Sequence, residues 1–347
     1  MTTQKSDPGN FFEDFTPGRE LVHTTPLTVS EGDISLYRAL TGSRHILYSA
    51  ETFAKANGFE RLPVDPLLGF HVVFGKTVPD ISLNAVANLG YADGKFLGRL
   101  YPGDTLRAVS EVIGRKENSN GKTGVVYVRT RGLNQAGDEV LSYVRWVMVH
   151  KKDPASPAPE TVIPDLPKAV DAATLTVPPA YADWDNALAG SPHRFDDYTT
   201  GEKIDHVDGM TVEEAEHQIA TRLYQNTAKV HFDAHAQASS RFGKRLIYGG
   251  VVISIARALS FNGLANAAEM LAINGGTHAG PLFAGDTVYA WSEVLDTAEL
   301  SPTVGALRLR LVAAKNHPCS DFPLRGDDGK YHPDVLLDFD YWAAIPR

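Results

Sequence analysis

The chain holds a single cysteine, so no disulfide can close within it and a zinc site of the Cys2His2 kind is excluded. Cys319 lies in His317-Pro-Cys-Ser-Asp321, a loop-like stretch without helix or strand periodicity, and is not read as a nucleophile. No apolar run reaches the roughly 18 residues of a transmembrane helix, so no membrane partner is expected. The opening Met1-Thr-Thr-Gln-Lys-Ser-Asp-Pro8 is polar and lacks the apolar centre of a secretory signal, so a cytoplasmic location is expected. No Lys/Arg block exceeds Lys151-Lys152 and the net charge is −9, which argues against nucleic acid. Neither Gly-x-Gly-x-x-Gly nor the Gly-x4-Gly-Lys-[Ser/Thr] phosphate loop occurs, which disfavours nucleotide folds.

What is present is a globular composition, 43% apolar and 22% charged. With 347 residues the chain is too long for one ordinary core, so two domains or two fused copies are expected. A repeat supports fusion. Phe12-Glu-Asp-Phe-Thr-Pro-Gly18 returns 183 positions later as Phe195-Asp-Asp-Tyr-Thr-Thr-Gly201. The same offset matches Thr28 with Thr211, Glu31 with Glu214 and Leu40 with Leu223. One position short of it, Pro102-Gly-Asp-Thr105 matches Ala284-Gly-Asp-Thr287. Between the copies the prolines are dense, from Pro154 to Pro179, and read as a semi-rigid surface linker. The expected division is 1–152, a linker at 153–190, and 191–347.

Each copy has the same coarse order. A helix-like stretch (31–41; 212–223) leads to an apolar helix (67–78; 251–261). Strands follow at 105–113, 125–132 and 140–150 in the first copy, and at 287–295, 305–314 and 336–343 in the second. A helix apolar on most faces is buried. One buried helix wrapped by an antiparallel sheet, made twice, is an α+β fold.

This order resembles the hotdog fold of the MaoC-like (R)-specific enoyl-CoA hydratases. Their motif Gly-Asp-x-Asn-Pro-[Leu/Ile/Val]-His-x-Asp is matched by Gln225-Asn-Thr-Ala-Lys-Val-His-Phe-Asp233. His231 takes the histidine place, Val230 the aliphatic place and Asp233 the trailing aspartate, while Asn226 replaces the catalytic aspartate. In the first copy Ser43 and Tyr48 stand at these positions, which implies a catalytically degenerate half that lodges coenzyme. Within the family, Leu223–Asp233 and Leu40-Thr-Gly-Ser-Arg-His45 resemble the mesaconyl-CoA hydratases. That resemblance implies a tandem hotdog and reversible hydration of mesaconyl-CoA to β-methylmalyl-CoA in acetyl-unit or glyoxylate assimilation. It also implies a homodimer and no metal or cofactor, coenzyme A being part of the substrate.

Elimination of water needs a base for the proton α to the thioester, an acid for the leaving hydroxyl, and donors for the enolate oxygen. His231 is the titrating candidate. Asn226 can only orient water or the hydroxyl, and it spares a carboxylate-bearing substrate a repulsive neighbour. Asp233 reads as a helix N-cap or a support for His231. His235 stands four positions from His231, on one face if the helix is continuous. Arg245-Leu-Ile-Tyr-Gly-Gly250 precedes the second buried helix, where Gly249 and Gly250 would bring N–H groups to the thioester oxygen. Candidates for the coenzyme are Glu60, Arg61, Leu62 and Pro63, then Asn88, Leu89, Gly90 and Tyr91, then Leu97, Gly98 and Arg99. Cations there would pair with phosphates and glycines would permit close backbone approach. A hotdog thioesterase and a non-catalytic acyl-CoA-binding protein are the other readings.

Overall fold

The structure, a computed structural model, describes residues 5–347, so the first four residues of the polar N-terminal stretch lie outside it. The first half runs β1 (Glu20–Thr28), α1 (Glu31–Thr41), α2 (Glu51–Ala56), α3 (Pro66–Thr77), β2 (Ala85–Phe96), β3 (Thr105–Glu117), β4 (Thr123–Leu133) and β5 (Glu139–His150). After α4 (Asn186–Ala189) the second half runs β6 (Lys203–Thr211), α5 (Glu214–Leu223), α6 (Lys229–Phe232), α7 (Ala234–Gln237), α8 (Gly249–Leu259), α9 (Phe261–Leu264), β7 (Glu269–His278), β8 (Thr287–Glu299), β9 (Val304–Lys315) and β10 (Val335–Pro346).

Local chemistry explains the repeated islands. Ser30 caps α1 in a reciprocal box with Asp33, and Gly42 ends it in the left-handed region. In each Gly-Asp-Thr turn the aspartate accepts a backbone N–H, Tyr101 to Asp104 at 2.7 Å and Phe283 to Asp286 at 3.0 Å. The two threonine pairs, Thr28 with Thr105 and Thr211 with Thr287, both lie at 2.7 Å. Phe12 and Phe195 lie against Gly124 and Gly305, which have no Cβ to obstruct the rings. The matched residues are thus turns, threonine pairs and ring seats.

The strands form one ten-stranded sheet, β1-β3-β4-β5-β2-β7-β10-β9-β8-β6, antiparallel throughout. Five strands belong to each half, and β2 and β7 join them. Their register pairs Ala92 with Gly275, which are 183 positions apart and so equivalent in the two copies. The fold is an α+β double hotdog with α3 and α8 as the buried helices; every residue from Leu67 to Thr77 and from Gly250 to Leu259 is buried. The helices meet where His71 Nε2 lies 2.8 Å from Ser254 Oγ, again an equivalent pair.

The sequence reading had three strands per half where five exist. β1 and β6 are edge strands interrupted by register shifts, while β2 and β7 carry glycines within them (Gly90, Gly94; Gly275, Gly276), which erases the alternation that marks a strand. The segment between the halves does more than cross the surface. Val170, Leu175, Tyr181 and Trp184 are buried with residues of β7, β9 and β10, and Trp342 donates its indole N–H to the Val170 carbonyl at 3.1 Å.

Gly75 on α3 abuts the second half so closely that an added Cβ would stand 1.7 Å from the Tyr224 carbonyl oxygen. Gly75→Ala should therefore destabilise the protein by about 1–3 kcal/mol, the usual cost of forcing atoms into packed space. A urea midpoint equal to that of the unaltered protein would contradict this contact.

Candidate active site

A cavity of about 480 Å³ opens between the halves. The first half lends Phe74, Asn88, Tyr91 and Arg145; the second lends Asn226, His231, Tyr248, Gly249 and His278. No aspartate or glutamate lines it among the described residues.

His231 sits on α6, a single turn held down by Leu246, whose N–H donates to the Val230 carbonyl at 3.0 Å. The Leu246 carbonyl lies 2.9 Å from His231 Nδ1 and can only accept. Nδ1 therefore carries the hydrogen, and Nε2 keeps its lone pair. Burial lowers the His231 pKa to about 4, partly offset by that hydrogen bond, so the ring is neutral at pH 7. Asn226 is buried, and its Oδ1 accepts the Ala228 N–H at 3.2 Å. That bond fixes the side chain, while Nδ2 finds no partner among the described residues.

Helix α8 begins at the cavity wall without a side-chain cap. The Tyr248 N–H before it donates to His217 Nε2 at 3.0 Å. The N–H of Gly249 is one of the unpaired donors that every helix start leaves, at the positive end of the dipole. Glycine is required here because an added Cβ would stand 2.3 Å from the His278 ring at Gly249, and 2.3 Å from the Tyr248 ring at Gly250. Tyr91 places its hydroxyl 3.2 Å from His278 Nε2 across the β2–β7 seam.

The equivalent place in the first half is closed. Pro66, 183 positions before Gly249, has no N–H to offer, and the Asp65 carboxylate takes the next one, from Leu67, at 2.9 Å. Tyr48 stands where His231 would, buried and with its hydroxyl unpartnered among the described residues. The cavity beside it measures only about 30 Å³, and Glu269 fills its wall, ion-paired to Arg99 at 2.8 Å and bonded by the Tyr181 hydroxyl at 2.9 Å.

The remaining candidates divide accordingly. Asp233 caps α7 by accepting the Ala236 N–H at 3.0 Å. His235 is exposed on α7, and the break at Asp233 takes it off the His231 face. The closest His/Asp grouping among the described residues is instead His317, His332 and Asp334, outside the cavity lining. Arg245 binds Glu214, Gln218 and the Phe232 carbonyl, fastening α5 to the His231 segment. Asn88 and Tyr91 line the cavity, with Leu89 and Gly90 between them on β2. Pro63, Gly98 and Arg99 line the small first-half cavity; Glu60, Arg61 and Leu97 are exposed and Leu62 half-buried, none of them on the large one. Arg99 would have to leave Glu269 to meet a phosphate. Sequence reasoning did not single out Tyr248, His278, Arg145 or Arg241. Arg145 had a signal, a lone charge within the apolar run Val140–His150.

A sequence profile of mesaconyl-CoA hydratases matches residues 2–320. The chain belongs to this family. It is 62% identical over 346 residues to the mesaconyl-CoA hydratase of Cereibacter sphaeroides, covering 99% of this chain and 100% of that one. It is 59% identical over 347 residues to the β-methylmalyl-CoA dehydratase of Chloroflexus aurantiacus, covering 99% of each. A crystal structure of a MaoC domain protein dehydratase from Chloroflexus aurantiacus superposes with a TM-score of 0.97 at 58% identity, covering 99% of both chains. A double-hotdog protein of Mycobacterium tuberculosis shares the fold at 24% identity, with a TM-score of 0.76 and 98% and 99% coverage. As a member of a hydratase family the chain is a hydro-lyase acting on coenzyme A thioesters. Among the described residues no helix is long and apolar enough to cross a membrane.

In this hydratase burial holds six histidines neutral: His45 is lowered well below its ordinary value, His71 and His217 to about 3, and His206, His231 and His278 to about 4. The unfolded chain takes up these protons near pH 6.5. Between about 6.5 and 4 the unfolded state thus binds more protons, and stability is lost as pH falls. Asp65, raised to about 6 by burial, Glu269, also raised by burial, and His317, raised by its Asp321 and Asp334 partners, work the other way but are three groups against six. The melting temperature, followed by circular dichroism, should drop steadily from pH 7 to 4.5; a flat profile would refute the assignment of neutral buried rings.

Proposed function

We propose that the chain adds water reversibly to the double bond of mesaconyl-CoA, giving β-methylmalyl-CoA. The observation that carries this reading is one acid-free cavity in which a free His231 Nε2 shares walls with the uncapped start of α8. In the hydration direction His231 Nε2 takes one proton from a water oriented by Asn226. The hydroxide adds to the carbon bearing the carboxylate, and the π electrons move onto the thioester oxygen. The Gly249 N–H, aided by the helix dipole, holds that developing oxyanion. The imidazolium then returns its proton to the α-carbon, so no proton is gained or lost and no resident cofactor takes part. Dehydration is the reverse.

The closed first-half site suits a supporting role for residues 1–152. At the cavity mouth Arg241 is exposed and has no carboxylate partner among the described residues. Lys244 lies close by in sequence, 4.2 Å from the Phe283 ring centre. We assign these two cations to the coenzyme phosphates. A thioesterase that works through a carboxylate finds no such group in this cavity.

Incubation with mesaconyl-CoA should lower the absorbance of the conjugated thioester without releasing thiol; thiol release would mean hydrolysis, and no change would mean binding only. His231→Ala should cut this turnover roughly 10²- to 10⁴-fold, as expected for a general acid–base group. Retention of more than a tenth of the activity would exclude His231 as the catalyst.

Asn226→Asp tests the electrostatic reason for the amide. Two unit charges about 4 Å apart at an effective dielectric near 20 repel by roughly 4 kcal/mol. Even a quarter of that changes a ratio of kcat/KM values about five-fold. The variant should lose activity on mesaconyl-CoA relative to crotonyl-CoA, which lacks the carboxylate. An unchanged ratio at pH 7–8 would leave Asn226 with water orientation alone.

A further inference from the structure

The cavity wall contains a buried cation with no anion. Arg145, on β5, has no exposed surface, yet no carboxylate lies within ion-pair distance of it among the described residues. Its Nη1 donates to Ser82 Oγ at 3.1 Å and its Nη2 to Thr77 Oγ1 at 2.8 Å. Its Nε is buried without an acceptor, and the guanidinium carbon sits 4.3 Å from the centre of the Phe74 ring. Two hydroxyls and a ring face fix the orientation of this group but do not neutralise it.

The other buried arginine shows what a purely structural one looks like here. Arg257 lines no part of the cavity and spends its donors on the Ala267 and Ala268 carbonyls, Ser260 Oγ and His45. Arg99, in the closed first-half site, has Glu269. Arg145 has neither arrangement, although an uncompensated charge out of water is costly and is ordinarily paired. It faces a cavity from which every acidic side chain is absent, in a chain whose net charge is −9. Near it lies the Tyr248 hydroxyl, which has no partner among the described residues. A cavity built this way lacks one thing, a small anion at the Arg145 end.

We propose that Arg145 binds the free carboxylate of the acyl group and so selects four-carbon-chain dicarboxylic acyl thioesters over their monocarboxylic counterparts. The proposal rests on the hydratase reading, which supplies a substrate with that carboxylate. It places the ligand across the seam: the first half holds the distal carboxylate with Arg145, and the second half holds the reacting carbons near His231. A planar guanidinium suits this task because it can meet a carboxylate with two parallel donors, whereas an ammonium acts as a point charge.

The test uses two saturated thioesters that cannot be hydrated, methylsuccinyl-CoA with the free carboxylate distal to the thioester, and 2-methylbutyryl-CoA without it. Calorimetric titration of the unaltered protein should show the first binding about 30-fold or more tighter. Equal binding would overturn the proposal whatever any variant does. Arg145→Met should abolish most of that preference by weakening methylsuccinyl-CoA, while 2-methylbutyryl-CoA changes less than about three-fold. Arg145→Lys should recover part of it, and circular dichroism should confirm that the variants are folded. A Met variant that keeps the preference, or one that is folded and weakens both ligands alike, would remove Arg145 from carboxylate recognition. Should the protein prefer methylsuccinyl-CoA through Arg145 yet leave mesaconyl-CoA unhydrated, the hydratase reading fails and the Arg145 assignment stands.

Discussion

The pairing of β2 with β7 is the constraint on which the rest depends. Each hotdog half has five strands, and along one edge its backbone groups would otherwise be unpaired. Joining those edges around Ala92 and Gly275 closes the sheet into ten strands and brings α3 and α8 into contact. It also sets Tyr91 beside His278 and makes the large cavity common property of both halves. The glycines that weaken β2 and β7 as isolated strands are tolerated because each strand is paired on both sides, β2 between β5 and β7 and β7 between β2 and β10.

The two copies differ most where their buried helices begin. Proline and a capping aspartate seal the start of α3, whereas α8 opens with glycines that leave a donor facing the cavity. One backbone arrangement thus yields a closed end and an open one by substitution of three consecutive residues, Asp65-Pro66-Leu67 against Tyr248-Gly249-Gly250. The acid-free lining follows the same logic. A neutral His231 keeps its Nε2 lone pair because burial favours the uncharged ring and the Leu246 carbonyl holds the one hydrogen on Nδ1, with no carboxylate nearby to keep a second proton on the ring.

Much of this was legible in the sequence because turn and cap chemistry is local. The Gly-Asp-Thr turns, the threonine pairs and the paired phenylalanines impose the same residues in both copies, and the repeat exposed them. His231 and Asn226 stood out through a short contiguous motif. The strands of the seam did not, since glycine removes side-chain alternation. Arg99 read as a free cation because its partner Glu269 is far away in the chain and reaches it only through the seam. Arg145 was passed over for the opposite reason: a charge in an apolar strand gives no hint of which cavity it faces until β5 is laid beside β2.

Covalent fusion of the copies has a consequence at the helix crossing. In a symmetric pair of identical hotdogs, a residue at this position would meet its own copy, and any substitution would be made twice. A histidine would face a histidine, both buried and competing for the same proton arrangement, and a serine would face a serine with a gap between them. Here the linked halves hold His71 against Ser254, a ring nitrogen and a hydroxyl 2.8 Å apart, with the Tyr37 hydroxyl donating to the same serine at 3.0 Å. Such a donor chain needs unlike partners at equivalent positions. Tandem duplication made those positions independently variable, so polar groups at the heart of the molecule could specialise without obeying the symmetry that created them.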